Sequence, residues 1–545
     1  MAQDDTNNQP DAPQEGVPAP EGASNLIDTD YVIGQDNIQT NKFGFDVDLH
    51  GKVFSISSLL VLFFVIITLA LPEQMAPIFN GAKGFLTANL SWLFLLAANI
   101  FVILAIGLIF TPLGKVRLGG ADAKPDFGYA GWFAMLFAAG MGIGLMFYGV
   151  SEPITHFGTS MSADSWAPLG GAEGNAAASQ SLAMASTIFH WGLHPWGIYA
   201  VVALSLALFS FNKGLPLTMR SIFYPILGER IWGWPGHVID ILAVFATLFG
   251  LATSLGLGAS QAAAGLNYLF DVPNTNVTMV LLIIGITLVA LLSVMLGVDK
   301  GVQRLSQLNM GLAFLLLLFV IIVGPTLLIL TGFVENMLSY LKNLPALANP
   351  FGRDDTDFVH GWTAFYWAWW ISWSPFVGMF IARVSRGRTV REFLIAVLIV
   401  PTVVSVIWMT AFGDTAINQI VNQGFEGVQN ADLELQLFTM LGQLPLSAIT
   451  SFIGIILVMV FFITSSDSGS LVIDAITAGG KVDSPKPQRV FWALIEGAIA
   501  IALLLGGGLT ALQAAVITTG LPFTVVLLAA CYAIVQGLRT EPRAK

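Results

Sequence analysis

The sequence predicts an all-α polytopic membrane protein with twelve transmembrane helices, in which spans 3–7 and 8–12 form two inverted five-helix repeats preceded by two extra helices. Three observations lead to this fold class. Apolar runs long enough to cross a bilayer recur along the chain, and basic residues are concentrated in every second connecting segment. In addition, interruptions occupy corresponding positions in the two halves.

The composition is that of a protein surrounded largely by lipid. Hydrophobic residues make up 55% of the 545 residues and charged residues only 10%, and the mean hydropathy is +0.76, far from a soluble globular domain. A helix needs ~20 apolar residues to span the hydrocarbon. The sequence contains twelve such runs, at about 53–71, 91–111, 128–150, 187–211, 237–259, 277–297, 310–333, 359–382, 392–413, 447–474, 489–507 and 511–536.

The distribution of lysine and arginine predicts that both termini are cytoplasmic. With the N-terminus inside, 20 of the 23 basic residues fall in segments that face the cytoplasm, where membrane proteins carry such an excess. Lys83, Lys342 and Arg353 are the exceptions. An even number of spans agrees with this orientation.

The chain divides into five predicted regions. The first is an acidic cytoplasmic tail with ten Asp or Glu and one Lys, and its few aromatic residues predict disorder. It lacks the apolar core and cleavage site of a signal peptide. The regions are 1–50 (the acidic tail), 51–127 (two N-terminal transmembrane helices), 128–345 (first inverted repeat, with a surface helix at 334–345), 359–536 (second inverted repeat) and 537–545 (short cytoplasmic tail).

Two of the apolar runs are interrupted. The third contains GMGIG at 140–144, and the eighth contains Ser372, Ser374 and Pro375, where the proline ring clashes with the preceding turn and a backbone donor is missing. Irregular backbone in a membrane is tolerated only where it is buried or lines a cavity, and paired interruptions in two halves point to a transporter's binding site. GMGIG alone would also fit close helix packing through small residues.

Tryptophan is concentrated at the second interruption, in WAWWISWSPF (367–376). On a helix, Trp362, Tyr366, Trp369, Trp370 and Trp373 share one face, at i, i+3, i+4 and i+7 spacing. Membrane proteins also place tryptophan in interfacial belts or use it as core filling. Trp362, at the outer end of its span, fits a belt, whereas the three later tryptophans lie in mid-span beside the interruption, which favours a ligand cage.

The fourth run contains a second aromatic cluster, HWGLHPWGIY (190–199). Trp196 and Tyr199 are one helical turn apart. Trp191 would point elsewhere on a straight helix, but Gly192 and Pro195 permit a kink that redirects it toward the other two rings.

A cage of aromatic faces suits a quaternary ammonium group. Such a cation has no N–H to donate, but it is attracted to ring faces, by ~2 kcal/mol per ring when desolvated. Spans 3, 4 and 8 show no Asp or Glu at the interruptions, because Glu152 lies two turns beyond the glycines. A cage without a counter-charge favours a zwitterion, whose carboxylate would take the backbone N–H groups freed at GMGIG.

Other classes of function fit less well. A channel needs a continuous polar pore, and no span has a polar stripe along its length. The six histidines include no HExxH motif, and no Ser-His-Asp arrangement can be placed, so the protein is not expected to be an enzyme. Nothing in the sequence indicates a nucleic-acid partner.

Four segments resemble the signature sequences of the betaine/choline/carnitine transporter family. They are FAAGMGIGLMFYGVSEP (137–153), HWGLHPWGIY (190–199), YWAWWISWSPFVGMFIARVSRGRT (366–389) and FFITSSDSGS (461–470). The resemblance covers about 50–536 and is closest to the sodium-coupled glycine betaine transporters. It implies twelve spans with two inverted repeats, a homotrimer in the lipid bilayer of the bacterial cytoplasmic (inner) membrane, and no cofactor apart from Na⁺ as the coupling ion.

The resemblance also implies site residues. Substrate would contact an aromatic box and its neighbours: Trp191, Trp196, Tyr199, Trp369, Trp370, Trp373, Gly142, Ile143, Gly144 and Ser254. Sodium would be bound by backbone carbonyls of Ala138, Met141 and Phe461 and by the hydroxyls of Thr464 and Ser465, with Thr247 and Phe376 at a second site. Hard Na⁺ prefers oxygen ligands of this kind, although hydroxyls in mid-membrane also often bond back to their own helix.

Two features depart from the pattern of part of the family. Gly144 is glycine here, as in betaine-type members, whereas many choline-type members have an acidic residue there. Leu251 stands where the second of two hydroxyls on span 5 is expected. The number of coupled sodium ions, one or two, is therefore left open.

The sequence therefore predicts a symporter that imports a zwitterionic quaternary ammonium compound, most simply glycine betaine, driven by sodium. The alternatives are a proton-coupled or exchange carrier for choline, carnitine, dimethylsulfoniopropionate or ectoine. Only about nine residues follow the last span, without the long basic helix associated with osmosensing in some members.

Overall fold

The computed structural model describes residues 17–42, 45–140, 142–296 and 299–543, and this part of the chain is mostly helical. A two-stranded antiparallel hairpin, β1 (Asn37–Lys42) and β2 (Phe45–His50), precedes the helices. The α-helices are α1 Gly51–Ala70, α2 Pro72–Phe110, α3 Tyr129–Gly140, α4 Ile143–Ser162, α5 Ala176–Trp191, α6 Leu193–Ala207, α7 Tyr224–Leu227, α8 Trp234–Phe270, α9 Asn276–Leu296, α10 Asp299–Val323, α11 Thr326–Leu347, α12 Thr356–Phe358, α13 Ala364–Val384, α14 Val390–Met409, α15 Thr415–Val421, α16 Gly427–Asn430, α17 Gln436–Leu441, α18 Ser447–Thr477 and α19 Lys486–Arg539.

Shorter helical pieces connect or extend these helices. Three are π-helical turns continuous with an α-helix, Leu208–Asn212, Val359–Thr363 and Thr410–Asp414. Five are 3₁₀ turns, Pro112–Lys115, Pro168–Gly170, Arg220–Phe223, Gly228–Trp232 and Leu433–Leu435.

Within the described ranges, nine helices are long and apolar enough to cross a membrane, and the bent pair α3 and α4 brings the number to ten. Ala176–Asn212 has the lowest hydropathy of the nine, 1.5, yet 94% of its most apolar stretch is buried, against 28% for α1. Protein rather than lipid therefore surrounds α5 and α6. The aromatic cluster at 190–199 lies in the interior and not in an interfacial belt.

The predicted disorder over residues 1–50 is wrong for the hairpin. Asp48 of β2 forms an ion pair with Lys481, and its backbone N–H donates to Gln488 Oε1 at 2.6 Å. His50 caps α1 by accepting from Val53 N at 3.3 Å. Burial and the Arg220 guanidinium lower the pKa of His50 to about 3, which keeps the accepting nitrogen unprotonated. These contacts hold a segment whose composition alone would leave it unfolded; residues 1–16 lie outside the described part of the chain.

The interruption predicted at GMGIG is present. The axes of α3 and α4 meet at 64°. Gly142, which precedes α4, is fully extended (φ −171°, ψ −174°), so the helical backbone conformation is interrupted at this point. Met141 lies outside the described residues.

The interruption predicted at Pro375 is wrong, because α13 continues through the proline as a helix. Proline has no N–H, so it cannot donate to the carbonyl four residues earlier, at Ile371. The hydroxyl of Ser374 donates to that carbonyl instead, at 2.7 Å. A neighbouring side chain thus satisfies the acceptor that the proline leaves free, as is common in transmembrane helices.

The hydrogen bond from Ser374 to the Ile371 carbonyl predicts that its loss lowers the stability of the protein. Ser374→Ala leaves the buried Ile371 carbonyl without its donor, and we expect it to lower the free energy of unfolding by about 1–3 kcal/mol. Thermal unfolding of the purified protein in detergent measures this. Ser58→Ala is a matched control, since Ser58 makes a similar bond to Ser55 at an exposed position. Equal unfolding temperatures for the two variants would contradict the role given to Ser374.

Of two further predicted boundaries, one differs in the structure and one is found where it was predicted. The run predicted over 310–333 ends in the structure at Val323, because Pro325 cannot continue the helix, and α11 then covers both its end and the predicted surface helix at 334–345. α19 contains both runs predicted at 489–507 and 511–536, and its backbone breaks between them as predicted. Its backbone is non-helical at Gly507 (φ 158°) and Gly508 (φ 60°), a conformation that glycine adopts without strain.

Candidate functional site

A cavity lies where α4, α5, α6, α8 and α13 meet. All ten residues predicted to contact substrate line it, together with four others. The lining residues are Ala139, Gly142, Ile143, Gly144, Leu145, Trp191, Trp196, Tyr199, Ser254, Trp369, Trp370, Trp373, Val377 and Ser405. What the cavity binds stays a prediction at this point.

The four rings of the predicted aromatic box meet edge to face. Trp191 and Trp370 have ring centroids 4.9 Å apart at 83°, Tyr199 and Trp370 are 5.8 Å apart at 88°, and Trp196 and Tyr199 are 5.3 Å apart at 75°. Trp369 stacks on Trp370 at 5.4 Å. Edge-to-face packing is favourable between aromatic rings, so the rings hold one another in place.

The kink predicted in the fourth span accounts for the position of Trp191. Gly192 separates α5 from α6 with φ −100° and ψ −129°, outside the helical region. A Cβ at this position would lie 2.7 Å from the Ile188 carbonyl oxygen. Glycine therefore permits the break that places Trp191 beside Trp370.

The indole N–H groups are already bonded within the protein. Trp369 Nε1 donates to Ser254 Oγ at 3.0 Å, Trp370 Nε1 to the His190 carbonyl at 2.9 Å, and Trp373 Nε1 to the Gly250 carbonyl at 2.8 Å. The polar edges of these rings are thus occupied. Their contribution to a ligand is chiefly the π surface.

The N-terminus of α4 supplies a different kind of contact. The first N–H groups of a helix have no partner within the helix, and Ile143, Gly144 and Leu145 occupy these positions with no side chain capping them. All three residues line the cavity. Free N–H groups and the positive end of the helix dipole favour an anionic group.

Gly144 allows the rings to approach this helix end. A Cβ built there would lie 2.6 Å from Trp191 Cη2 and 2.9 Å from Trp369 Cη2. Real Cβ contacts do not come so close. Any other residue at 144 must displace one or both indoles, so the close approach of the two rings requires glycine.

Glu152 is the residue that sequence reasoning missed, and the expectation of no carboxylate near the aromatic cage is wrong. It is fully buried behind the cage, where its Oε2 accepts from Trp191 Nε1 at 2.8 Å and from the Tyr366 hydroxyl at 2.5 Å. Its Oε1 lies 2.6 Å from His190 Nδ1 and 3.2 Å from His156 Nε2. Two signals in the sequence point to it. An ionisable residue inside an apolar span is a functional candidate, and His156 follows it by four positions on the same helix face.

The predicted sodium ligands are placed as follows. Thr464 Oγ1 donates within its own helix, to the Val460 carbonyl at 3.0 Å and the Phe461 carbonyl at 3.3 Å, so the hydroxyl of Thr464 and the carbonyl of Phe461 are adjacent. Ser465 follows Thr464 on α18 and is partly buried. Ala138 is in the last turn of α3, and Met141 is outside the described residues.

The predicted second sodium site has fewer oxygens. Thr247 Oγ1 donates to the Ala243 carbonyl at 2.7 Å. The Leu251 side chain lies against α18, with its Cδ1 2.3 Å from the position of a Cβ built on Gly469. Phe376 contacts Trp373 edge to face at 5.3 Å.

The fold and the cavity together indicate the class of protein. Apolar helices surround a buried binding cavity, and one of them is interrupted at that cavity, as expected of a membrane transporter. Residues 52–543 match the family described as "BCCT, betaine/carnitine/choline family transporter". The chain belongs to this family, and it is a transporter rather than an enzyme.

Curated relatives agree with this assignment. A "Glycine betaine/proline/choline transporter" of Vibrio parahaemolyticus is 62% identical over 536 residues, covering 97% of each chain. "Glycine betaine transporter 1" of the same organism is 56% identical, covering 94% of this chain and 97% of the relative. The "Glycine betaine transporter OpuD" of Bacillus subtilis is 45% identical, covering 87% of this chain and 91% of the relative.

Proposed function

We propose that the chain is a symporter that imports glycine betaine, driven by sodium. The observation that carries this proposal is the pairing of two features in one cavity. Aromatic faces lie beside the uncapped N-terminus of α4, and the indole N–H groups of Trp369, Trp370 and Trp373 are bonded within the protein. The first suits a trimethylammonium group and the second a carboxylate.

The magnitudes fit a ligand with both groups. Three or four ring contacts of ~2 kcal/mol each approach the roughly 8 kcal/mol that micromolar binding requires, before the cost of association. A zwitterion also brings no net charge into the membrane interior, where an unpaired charge costs several kcal/mol. The relatives' names give the same class of small solute.

We also propose the membrane arrangement predicted from the sequence. The ten spans counted by length and composition become twelve if α13 is a span and α19 is two spans divided at Gly507 and Gly508. Spans 3–7 and 8–12 then form the two inverted repeats. In this arrangement both termini face the cytoplasm of a bacterium, and the protein lies in the inner membrane as a homotrimer.

Transport into proteoliposomes tests the function. With an inward sodium gradient and no betaine gradient, we expect labelled glycine betaine to accumulate above its external concentration. Collapse of the gradient with a sodium ionophore should stop accumulation. Accumulation that follows an imposed proton gradient without sodium would instead favour the proton-coupled alternative. Unlabelled choline, proline, carnitine, dimethylsulfoniopropionate and ectoine as competitors rank the possible substrates.

Sodium coupling rests on oxygen donors without net charge. The Thr464 hydroxyl and Phe461 carbonyl are adjacent, and Ser465 and Ala138 belong to the same proposed site. Because Thr464 donates its hydrogen to a carbonyl, its oxygen retains lone pairs for a cation. Carbonyls and hydroxyls at an interrupted helix are the usual sodium ligands of such transporters.

We predict one sodium ion per betaine. Leu251 offers no oxygen beside Thr247, and it packs against Gly469; a dehydrated ion tolerates few missing ligands. Because glycine betaine is neutral, all charge that crosses the membrane belongs to the coupling ion, worth about 2.3 kcal/mol per charge per 100 mV. Reversal potentials measured in proteoliposomes should therefore give one charge per betaine.

The variant Leu251→Thr gives the most direct test of the number of charges moved per betaine. It places a hydroxyl one turn from Thr247, and we expect it to move the stoichiometry toward two charges per betaine. Leu251→Val removes bulk without adding oxygen and is the matched control. Two charges per betaine in the unaltered protein would show the one-sodium prediction to be wrong, and would mean that Thr247, Thr253 or water supplies the ligands.

A further inference from the structure

We propose that Glu152 is the counter-charge of the aromatic cage, and that it sets the preference of the cage for a cation by acting through Trp191 and Tyr366. This proposal rests on the proposed function, since it concerns how the same cavity recognises its quaternary ammonium substrate. Glu152 does not line the cavity. It is a positioning and specificity residue rather than a ligand-contacting one.

The hydrogen bonds indicate an ionised carboxylate. An indole nitrogen can only donate, so Trp191 Nε1 gives its hydrogen to Glu152 Oε2, at 2.8 Å. The Tyr366 hydroxyl lies 2.5 Å from the same oxygen, the length of a charge-assisted O–H···O⁻ bond. At the other oxygen, His190 Nδ1 lies at 2.6 Å. When the carboxylate is ionised, His190 Nδ1 donates in this pair, and each oxygen then has a close donor.

The position of His190 extends this network. Its Nε2 lies 3.0 Å from Thr363 Oγ1, and its carbonyl accepts from Trp370 Nε1 at 2.9 Å. Glu152, His190 and Thr363 are all buried. The Glu152 carboxylate therefore contacts Trp191 directly and Trp370 through His190. These bonds fix two of the four cage rings.

The same bonds change the electrostatics of the rings. A cation is attracted to the negative face of an aromatic ring. When an indole N–H or a phenol O–H donates to an anion, electron density shifts toward the ring, and its face becomes more negative. Trp191 belongs to the cage, and Tyr366 lies 5.7 Å from Trp191 and stacks on Trp370 at 6.3 Å. Trp191 thus lines the cavity, Tyr366 contacts two rings that line it, and the low-dielectric surroundings strengthen the effect.

A metal site is the rival role for this cluster, because ligand atoms of Glu152, His156 and His190 lie within 4.8 Å of one another. The hydrogen bonds favour the other role. A divalent ion bound at Glu152 would compete with the Trp191 and Tyr366 bonds for the same oxygens. The geometry points to a hydrogen-bonded anion that faces the cage.

The test compares glycine betaine, a zwitterion, with an isostere whose trimethyl group carries no positive charge. Glycine betaine and 3,3-dimethylbutanoate share shape and carboxylate, but a carbon atom replaces the quaternary nitrogen in the second. Both are titrated against the full-length protein by tryptophan fluorescence. We expect the unaltered protein to bind glycine betaine more tightly. In Glu152→Gln the affinity for betaine should fall by roughly tenfold, with little change for the isostere.

Two further variants keep the result interpretable. Tyr366→Phe retains the ring and removes one donor to Glu152, so a smaller loss, again confined to betaine, is expected even if Glu152→Gln folds poorly. Glu152→Asp retains the charge and should restore part of the preference for betaine. A merely structural role would weaken both ligands together in every variant.

The outcomes separate the two proposals. If the unaltered protein binds neither ligand, the proposed function fails. If it binds betaine and the isostere equally, or if Glu152→Gln and Tyr366→Phe keep the full preference for betaine, the function stands and the role of Glu152 is overturned. Betaine binding by the unaltered protein that requires added zinc would overturn the role of Glu152 and favour the metal site instead.

Discussion

Replacement of Trp370 by alanine is expected to weaken glycine betaine binding by about 5–30-fold. A cation–π contact with a desolvated ring is worth ~1–2 kcal/mol, and each 1.4 kcal/mol is a factor of ten in affinity. Trp370 makes edge contacts with both Trp191 and Tyr199 and stacks on Trp369. Its loss therefore removes one ring and loosens three others. Trp196→Ala, which removes a ring at the edge of the cage, should give a loss in the same range.

Tryptophan-fluorescence titration of the purified protein measures this effect, and two variants control it. Trp370→Phe keeps an aromatic face and should lose less than the alanine variant. Trp367→Phe, three residues earlier in α13, changes a buried ring that stacks on His194 and does not line the cavity, so betaine affinity should not change. Unchanged affinity in both Trp370→Ala and Trp196→Ala would refute the cage.

The rings around the cavity could be predicted from the sequence because local rules determine their directions. Trp369, Trp370 and Trp373 share a face at helical spacing. Trp191 needs a break in its helix to join them, and Gly192 signals that break. Side chains placed by periodicity and by glycine need no knowledge of distant neighbours. The full set of ten predicted substrate contacts, including Ser254, was implied by the family resemblance, and all ten lie around one cavity.

Glu152 could not be placed in this way, because its role depends on residues that lie far from it in sequence. Tyr366 is 214 positions away and Trp191 is 39 positions away. Along its own helix Glu152 is two turns past the glycines, which suggested that it was too distant from the cage. The α5–α6 break brings Trp191 back to it, and only the packed structure shows the contact.

The predictions made for Pro375 and for the N-terminal hairpin are wrong for a related reason. A proline predicts a missing hydrogen bond, but Ser374 replaces it with its own hydroxyl, and the sequence does not say which of the two effects prevails. An acidic, polar segment predicts disorder, but Asp48 finds Lys481 and Gln488 across the fold. In both cases a partner outside the local pattern decides the conformation.

Gly144→Asp is expected to reverse the preference of the transporter from betaine toward choline. A carboxylate at the N-terminus of α4 would occupy the place of the substrate's own carboxylate and repel it, while it would pair with the plain cation choline. Two charges ~4 Å apart interact by about 4 kcal/mol near a protein surface, so a change of at least roughly tenfold in the choline-to-betaine ratio is expected.

The close approach at Gly144 requires that this effect be separated from a steric one. A Cβ there would meet Trp191 at 2.6 Å and Trp369 at 2.9 Å, so Gly144→Ala should displace the indoles and reduce uptake of both solutes. Gly107→Ala in α2 is the control, because Gly107 does not line the cavity and nothing lies within 4 Å of its Cβ position; it should change little. The deciding quantity is the choline-to-betaine uptake ratio of Gly144→Asp relative to Gly144→Ala in proteoliposomes. Charge recognition at this helix end predicts a rise in that ratio, whereas an equal ratio in the two variants would mean that Gly144 matters only as space for Trp191 and Trp369.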